Sequence, residues 1–366
     1  MDTRRQILFL IPTLTAGGAE RVITTLLHHL DKKKFRLILA VADMYDSVYR
    51  EDVPKEVEFV DLQCSRVRYA LPKIIQLIRR RRPEVVISTM GHLNLALSIL
   101  RPLLPDEVRY IARETSIVSE LIRHYRKPWF WAWAYRRFYS RFDAVVCQSN
   151  YMSIDLIENF GLPKSKAVVI HNPVDIKRIH YLMTEAVNTE LEPLAAHMSE
   201  TPIQLVAAGR LSHEKGFDLL IEALALCNNP RMYLTILGKG PLRGELEQLA
   251  IDRGISQQVR FAGFQKNPYP FFANAHVFIL SSRFEGFPNV VLEALACGTP
   301  VIATPAPGGV KEIMEGKPGC LLAESVTAEG LAAAIQRFSG GKIIATDIIR
   351  PYAVETVTRC YEQVFS

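Results

Sequence analysis

Two glutamates stand eight positions apart in RFEGFPNVVLEALACGTPVIAT (283–304): Glu285 in a loop with Gly286, Phe287 and Pro288, and Glu293 on a stretch otherwise apolar from Val290 to Ala296. Burying an ionised carboxylate costs several kcal/mol unless something polar meets it. A carboxylate accepts only, and it can take two hydroxyl donors at once, as the 2′,3′-diol of a ribose offers to Glu293. A solvent-facing Glu is the plain alternative, and the apolar helix around it argues against that. Proline suits a first helical turn, where its missing N–H is no loss. Pro288 then leaves the amides of Asn289 and Val290 pointing outward, and with the helix dipole they suit an anion such as phosphate.

Upstream, AAGRLSHEKGFDLLIEA puts Arg210 and Lys215 in one loop between a strand and a helix. A planar fork and a point charge are what a diphosphate leaving group calls for. Surface cations are usually just solvated, and it is the shared loop that favours a ligand here. The chain has no D-x-D, so a metal-bridged diphosphate lacks an obvious carboxylate pair. Arg210, Lys215 and the helix amides would take the place of a cation, and no metal or cofactor is expected. LGKGPLRGEL (237–246) is read as a turn, because its third glycine falls one place late for a dinucleotide fingerprint.

In the first half, Gly17 and Gly18 precede a helical pattern, where glycine lets backbone approach a ligand and the first amides meet phosphate. A bare tight turn is the alternative. His92, in STMGHLNLAL, follows a strand, as do Arg113 and Glu114 in YIARETS. Arg113 and Glu114 are expected to contact an acceptor, unless Glu114 only pairs with Arg113. A lone His is more often structural.

The elements that must carry these residues alternate along the whole chain. QILFLIP, FRLILAVA, EVVISTM and DAVVCQS read as strands between helical patterns, and IQLVAAG, MYLTILG and HVFILSS repeat the theme. Strand, helix, strand in succession gives right-handed crossovers and a mostly parallel sheet. A length of 366 residues exceeds what one core usually supports, so two α/β Rossmann-like, doubly wound domains are expected, 1–175 and 176–349, facing a cleft. HNPVD (171–175) is the turn between them, 184–201 reads as an irregular segment, and the helix of about 350–366 could pack on either domain.

GGAER, HNPVD, GRLSHEKG and EGFPNVVLE with its Glu-x7-Glu spacing, in that order along the chain, resemble the retaining nucleotide-sugar glycosyltransferases of family 4, which have the GT-B fold. The likeness spans nearly the whole chain. It implies that Glu285 holds donor-sugar hydroxyls with the amides of Gly286 and Phe287, that Glu293 accepts from the ribose, and that Arg210 and Lys215 clamp the diphosphate. It implies that Gln265 and Lys266, in FAGFQKN, meet the base through their backbone, that His92 lies near the donor sugar, and that the final helix crosses back onto the first domain. It further implies front-face attack, with the leaving diphosphate taking the acceptor's proton. A UDP-hexose or UDP-N-acetylhexosamine donor and a lipid-linked or glycan acceptor are expected. The competing readings are a GT-B sugar-nucleotide epimerase and a non-catalytic partner subunit.

Between 121 and 142, IRHYRKPWFWAWAYRRFYSRF carries Arg123, Arg126, Lys127, Arg136, Arg137 and Arg141, all three tryptophans and no acid. Cations interleaved with amphipathic rings suit the headgroup zone of an anionic membrane. A helix packed on the sheet with a solvated basic face is the alternative, and no nucleic-acid motif accompanies the charge. The net charge of +6 suits phosphate or an anionic surface. Six cysteines without a CxxC pair read as reduced thiols, and the apolar run Ile7–Ile11 is too short for a signal peptide. The expectation is a cytoplasmic protein, peripheral on the inner face of the membrane.

Overall fold

The computed structural model describes residues 3–185, 202–339, 341, 342 and 345–366, so most of the polar segment 184–201 lies outside the described residues. The chain forms two compact units, Met1–Pro173 with Tyr352–Ser366, and Val174–Pro351.

The first unit holds seven strands: β1 (Arg5–Ile11), β2 (Phe35–Val41), β3 (Glu58–Asp61), β4 (Val85–Thr89), β5 (Arg109–Arg113), β6 (Ala144–Cys147) and β7 (Ala167–Val169). They pair in parallel in the order β3-β2-β1-β4-β5-β6-β7. Parallel sheets are covered on both faces, which is why β1, β2 and β4 are nearly continuous apolar runs, buried at almost every position. The helices are α1 (Gly18–His29), α2 (Val67–Arg81), α3 (Gly91–Leu100), α4 (Val118–Arg123), α5 (Pro128–Phe138) and α6 (Asn150–Phe160). Right-handed crossovers fix their sides. The step from β1 to β2 runs one way along the sheet and puts α1 on one face. The steps from β3 through β7 run the other way and put α2 to α6 on the opposite face.

The second unit opens with α7 (Ile176–Leu182) and holds β8 (Ile203–Ala208), β9 (Met232–Leu237), β10 (Val259–Gly263), β11 (Val277–Leu280), β12 (Val301–Ala303) and β13 (Cys320–Leu322). All are parallel, in the order β10-β9-β8-β11-β12-β13. Among its described residues the other helices are α8 (Phe217–Cys227), α9 (Arg243–Asp252), α10 (Tyr269–Asn274), α11 (Asn289–Ala296), α12 (Val310–Met314), α13 (Ala328–Arg337) and α14 (Thr346–Ile349). The strand order reverses between β8 and β11, and the crevice at such a switch point is where open α/β sheets bind ligands. The LGKGPLRGEL segment is the turn from β9 into α9, held where the Leu211 amide donates to the Lys239 carbonyl and the Leu242 amide to the Leu211 carbonyl.

The chain then rejoins the first unit through α15 (Val354–Phe365). Val357, Tyr361 and Phe365 share one core with Val22, Ile23 and Leu26 of α1 and the inward residues Ile7, Phe9 and Ile11 of β1. Those three β1 residues alternate with Leu8 and Leu10, as the two-residue period of a strand requires.

Candidate functional site

In the second unit, the loops that follow β8 and β11 meet at the switch point. Gly216 makes that approach possible: its φ is +60°, and a Cβ there would lie 2.1 Å from the Ser281 carbonyl oxygen. The Ser281 hydroxyl donates to the Lys215 carbonyl (2.9 Å) and the Arg283 amide to the Glu214 carbonyl (2.8 Å). Arg283 also grips Asp218 of α8 with two bonds, Nη1 to Oδ1 (2.8 Å) and Nη2 to Oδ2 (2.5 Å). Burial would raise the Asp218 pKa, but the hydrogen bonds and charge of Arg283 outweigh it and hold it below the usual value. Arg283 and Asp218 escaped the sequence reading. An Arg immediately before the Glu-bearing loop was the available signal.

Lys215 Nζ donates to Glu285 Oε1 at 2.7 Å, with the two side chains only 25% and 8% exposed. Ser282 donates to the same oxygen at 2.6 Å, and the Glu285 amide donates to the Pro307 carbonyl. Oε2 of Glu285 takes no donor among the described residues, so a carboxylate held rigidly by one oxygen offers the other. Lys215 has three N–H donors, one of them used here. The cation expected to act on a diphosphate is thus also the counterion of the carboxylate expected to hold the sugar. Arg210 is exposed, and no carboxylate among the described residues pairs with it.

Gly286, Phe287 and Pro288 are buried and lead into α11. Pro288 is the N-cap of that helix rather than part of its first turn, and the Asn289 amide donates to the Phe287 carbonyl at 3.1 Å. The expectation that Asn289 presents a free amide is therefore corrected, because a tight turn ahead of the helix consumes it. Glu293 is 6% exposed, one turn below the half-buried Asn289 and Val290. Burial, and after it the charge of Glu293, push the nearby Cys297 thiol up to about 12. Gln265 and Lys266 lie between β10 and α10, with Gln265 Nε2 donating to the Ala262 carbonyl.

In the first unit, Gly17 caps α1, and a Cβ on it would lie 2.1 Å from Glu20 Oε2. The close approach that Gly17 permits is made by the chain's own carboxylate, which accepts from the hydroxyls of Thr13 and Thr15. Burial raises the Glu20 pKa against those bonds. His92 stands exposed in the first turn of α3, and partial desolvation lowers its pKa.

Burial corrects the acceptor reading of Arg113 and Glu114, which are 0% and 1% exposed. Nor do they pair with each other. Arg113 donates from Nε to the Tyr361 hydroxyl (3.0 Å) and from Nη2 to Asn172 Oδ1 (2.5 Å), tying β5 to α15 and to the segment where the chain leaves the unit. Glu114 Oε1 accepts from the Tyr139 hydroxyl and from Asn94 Nδ2. Both polar groups face inward because β5 lies within the sheet and is covered. Among the described residues, no three His, Cys, Asp or Glu side chains are grouped to hold a metal ion.

Comparison with known proteins divides the chain as the sheets do. Residues 16–178 match the model of Glycosyltransferase Family 4, and residues 193–350 that of Glycosyl transferases group 1. The lipopolysaccharide core biosynthesis glycosyltransferase LpsE of Rhizobium meliloti is 30% identical over 292 residues, 74% of this chain and 82% of that protein. A Campylobacter jejuni enzyme, N-acetylgalactosamine-N,N'-diacetylbacillosaminyl-diphospho-undecaprenol 4-alpha-N-acetylgalactosaminyltransferase, is 28% identical over 319 residues, 83% of this chain and 81% of that one. Among solved structures, HepE of Anabaena in complex with UDP and glucose superposes with a TM-score of 0.79 over 99% of each chain at 20% identity, a likeness of fold.

Proposed function

The chain belongs to glycosyltransferase family 4, with the GT-B fold, and from that premise we propose that it moves a hexosyl or N-acetylhexosaminyl group from a UDP-sugar to a lipid-linked or glycan hydroxyl, with retention, in the assembly of a cell-surface polysaccharide. The observation that carries this reading is the Lys215–Glu285 pair at the switch point of the second sheet, beside the start of α11. Glu285 accepts sugar hydroxyls through Oε2. Lys215 gives its remaining N–H donors, and Arg210 its guanidinium, to the diphosphate. Glu293 accepts from the ribose, and the backbone at Gln265 and Lys266 meets the base. Bond breaking leaves negative charge on the diphosphate, and fixed cations stabilise it more in the transition state than in the bound donor. The leaving diphosphate takes the acceptor's proton, and no metal is needed. HepE binding UDP and glucose supports the donor class, and the diphospho-undecaprenol substrate of the Campylobacter enzyme supports a lipid-linked acceptor.

The test screens nucleotide sugars for thermal stabilisation and then follows transfer by NMR. A UDP-sugar should stabilise the wild type, Glu293→Gln should bind it about tenfold more weakly from the loss of a charge-assisted bond, and the product should keep the donor's anomeric configuration in the presence of EDTA. An epimerised donor formed without acceptor, or no turnover with any donor, would replace this reading by one of its competitors.

A further inference from the structure

We propose that the outer face of the α2–α6 layer of the first unit is a docking surface for an anionic bilayer, with the rings of α5 as its anchor. The observation is the distribution of exposed apolar side chains. Twelve large ones are exposed among the described residues, and eight of them stand on this single layer, including Ile99 and Leu103 at the end of α3 and Tyr151 and Ile154 on α6. α1 and α15, on the opposite face of the same sheet, contribute none. Three belong to α5 alone: Trp129 at 69%, Phe130 at 44% and Trp133 at 50% exposure. A water-facing helix has no packing reason to display such rings.

The rings are arranged as a cluster. Phe130 lies 6.2 Å from Trp129 and 5.9 Å from Trp133, centroid to centroid. Lys127, in a left-handed conformation (φ 59°), and Pro128 at the first helical position end the preceding turn and start α5 afresh. The buried side of α5 is set by Ala134 and Tyr135, and the Tyr139 hydroxyl just beyond it bonds to buried Glu114. The ring-bearing side is thereby held outward on a rigid base.

Charge selects the occupant. α2 and α5 contain no acidic residue. Exposed Arg126, Lys127, Arg136 and Arg137 flank the rings along the chain, and α2, which packs on α3 as α3 packs on α5, adds Arg68, Arg79 and Arg80. Two copies of such a face repel each other. Rings that sink below headgroups while cations stay at the phosphates match an anionic membrane. The surface deepens the lipid-linked acceptor reading, since it would bring the first unit to the plane where such an acceptor lies.

Vesicle binding tests this without donor or acceptor, so its failure and that of the transfer reading are separable. The whole protein is floated with vesicles of phosphatidylcholine alone or mixed with phosphatidylglycerol. Binding is expected only to the mixed vesicles, weakening with salt, with a blue shift of tryptophan fluorescence. The triple variant Trp129→Ala, Phe130→Ala, Trp133→Ala should bind at least about tenfold more weakly with an unchanged melting temperature, because the removed groups are exposed. A second variant, Arg126→Gln with Arg136→Gln and Arg137→Gln, should lose the preference for phosphatidylglycerol. Equal binding of wild type and triple variant, binding to neither vesicle, or a wild-type dimer abolished by the ring substitutions would each overturn the proposal.

Discussion

Lys215 holds a buried carboxylate in place and still has donors to spare, so its removal has two separable effects. Lys215→Ala strands Glu285 without its counterion and should cost about 3 kcal/mol of stability. Adding Glu285→Gln removes the uncompensated charge and should restore most of that stability while leaving transfer lost. Denaturant midpoints and turnover of the two variants check both statements, and recovery of turnover with stability would deny the lysine a role in the reaction. Glu114 makes a different case. Burial raises its pKa above 4.5 against the bonds from Tyr139 and Asn94. A group with a raised folded-state pKa stabilises fully below its unfolded value, and that contribution is lost as pH rises through the folded value. Glu114→Gln keeps the acceptor oxygen and removes the titration. The variant should therefore gain stability relative to wild type as pH climbs from 4.5, read as the difference in melting temperature across a pH series. Asp218 has the opposite sign, its pKa held below 3.8, so the benefit of its Arg283 pair disappears only in more acid solution.

The two loops that build the candidate site are kept in register by one backbone position. At Gly216 a left-handed φ and a carbonyl 2.1 Å from any Cβ coincide, so Gly216→Ala combines strain with a clash. A loss of about 2 kcal/mol is expected, with donor affinity falling further than that of a surface control, because Lys215 and Glu285 lie on the two loops pushed apart. Equal effects on stability and donor affinity would show the loops to be mere connections. The motif-bearing loops were legible in the sequence because their signals are local: strand, loop and helix succeed one another in AAGRLSHEKGFDLLIEA and in HVFILSSRFEGFPNVVLEALA. What Arg113 and Glu114 touch was not legible. Arg113 ends β5 and Glu114 follows it, much as Arg210 follows β8, yet their partners Tyr361, Asn172, Tyr139 and Asn94 come from other elements of the fold.

Each unit has its own sheet and core, and the first is completed by the last fifteen residues. Two calorimetric transitions are therefore expected. Phe365 is 1% exposed and meets Phe9 and Phe35 edge to face. Phe365→Ala should lower one transition by the equivalent of roughly 3–5 kcal/mol, while a bound UDP-sugar should raise the other. A single transition moved by both would contradict independent units. By itself the sequence determined the two α/β units, the family and the loops that carry the chemistry, since periodicity, turn residues and motif order are properties of neighbours along the chain. Only the tertiary structure decided which face of a sheet a residue occupies and who its partner is. That depends on crossover direction and on contacts between separate elements, and it turned Arg113 and Glu114 inward, joined Lys215 to Glu285 and held the exposed rings of α5 outward.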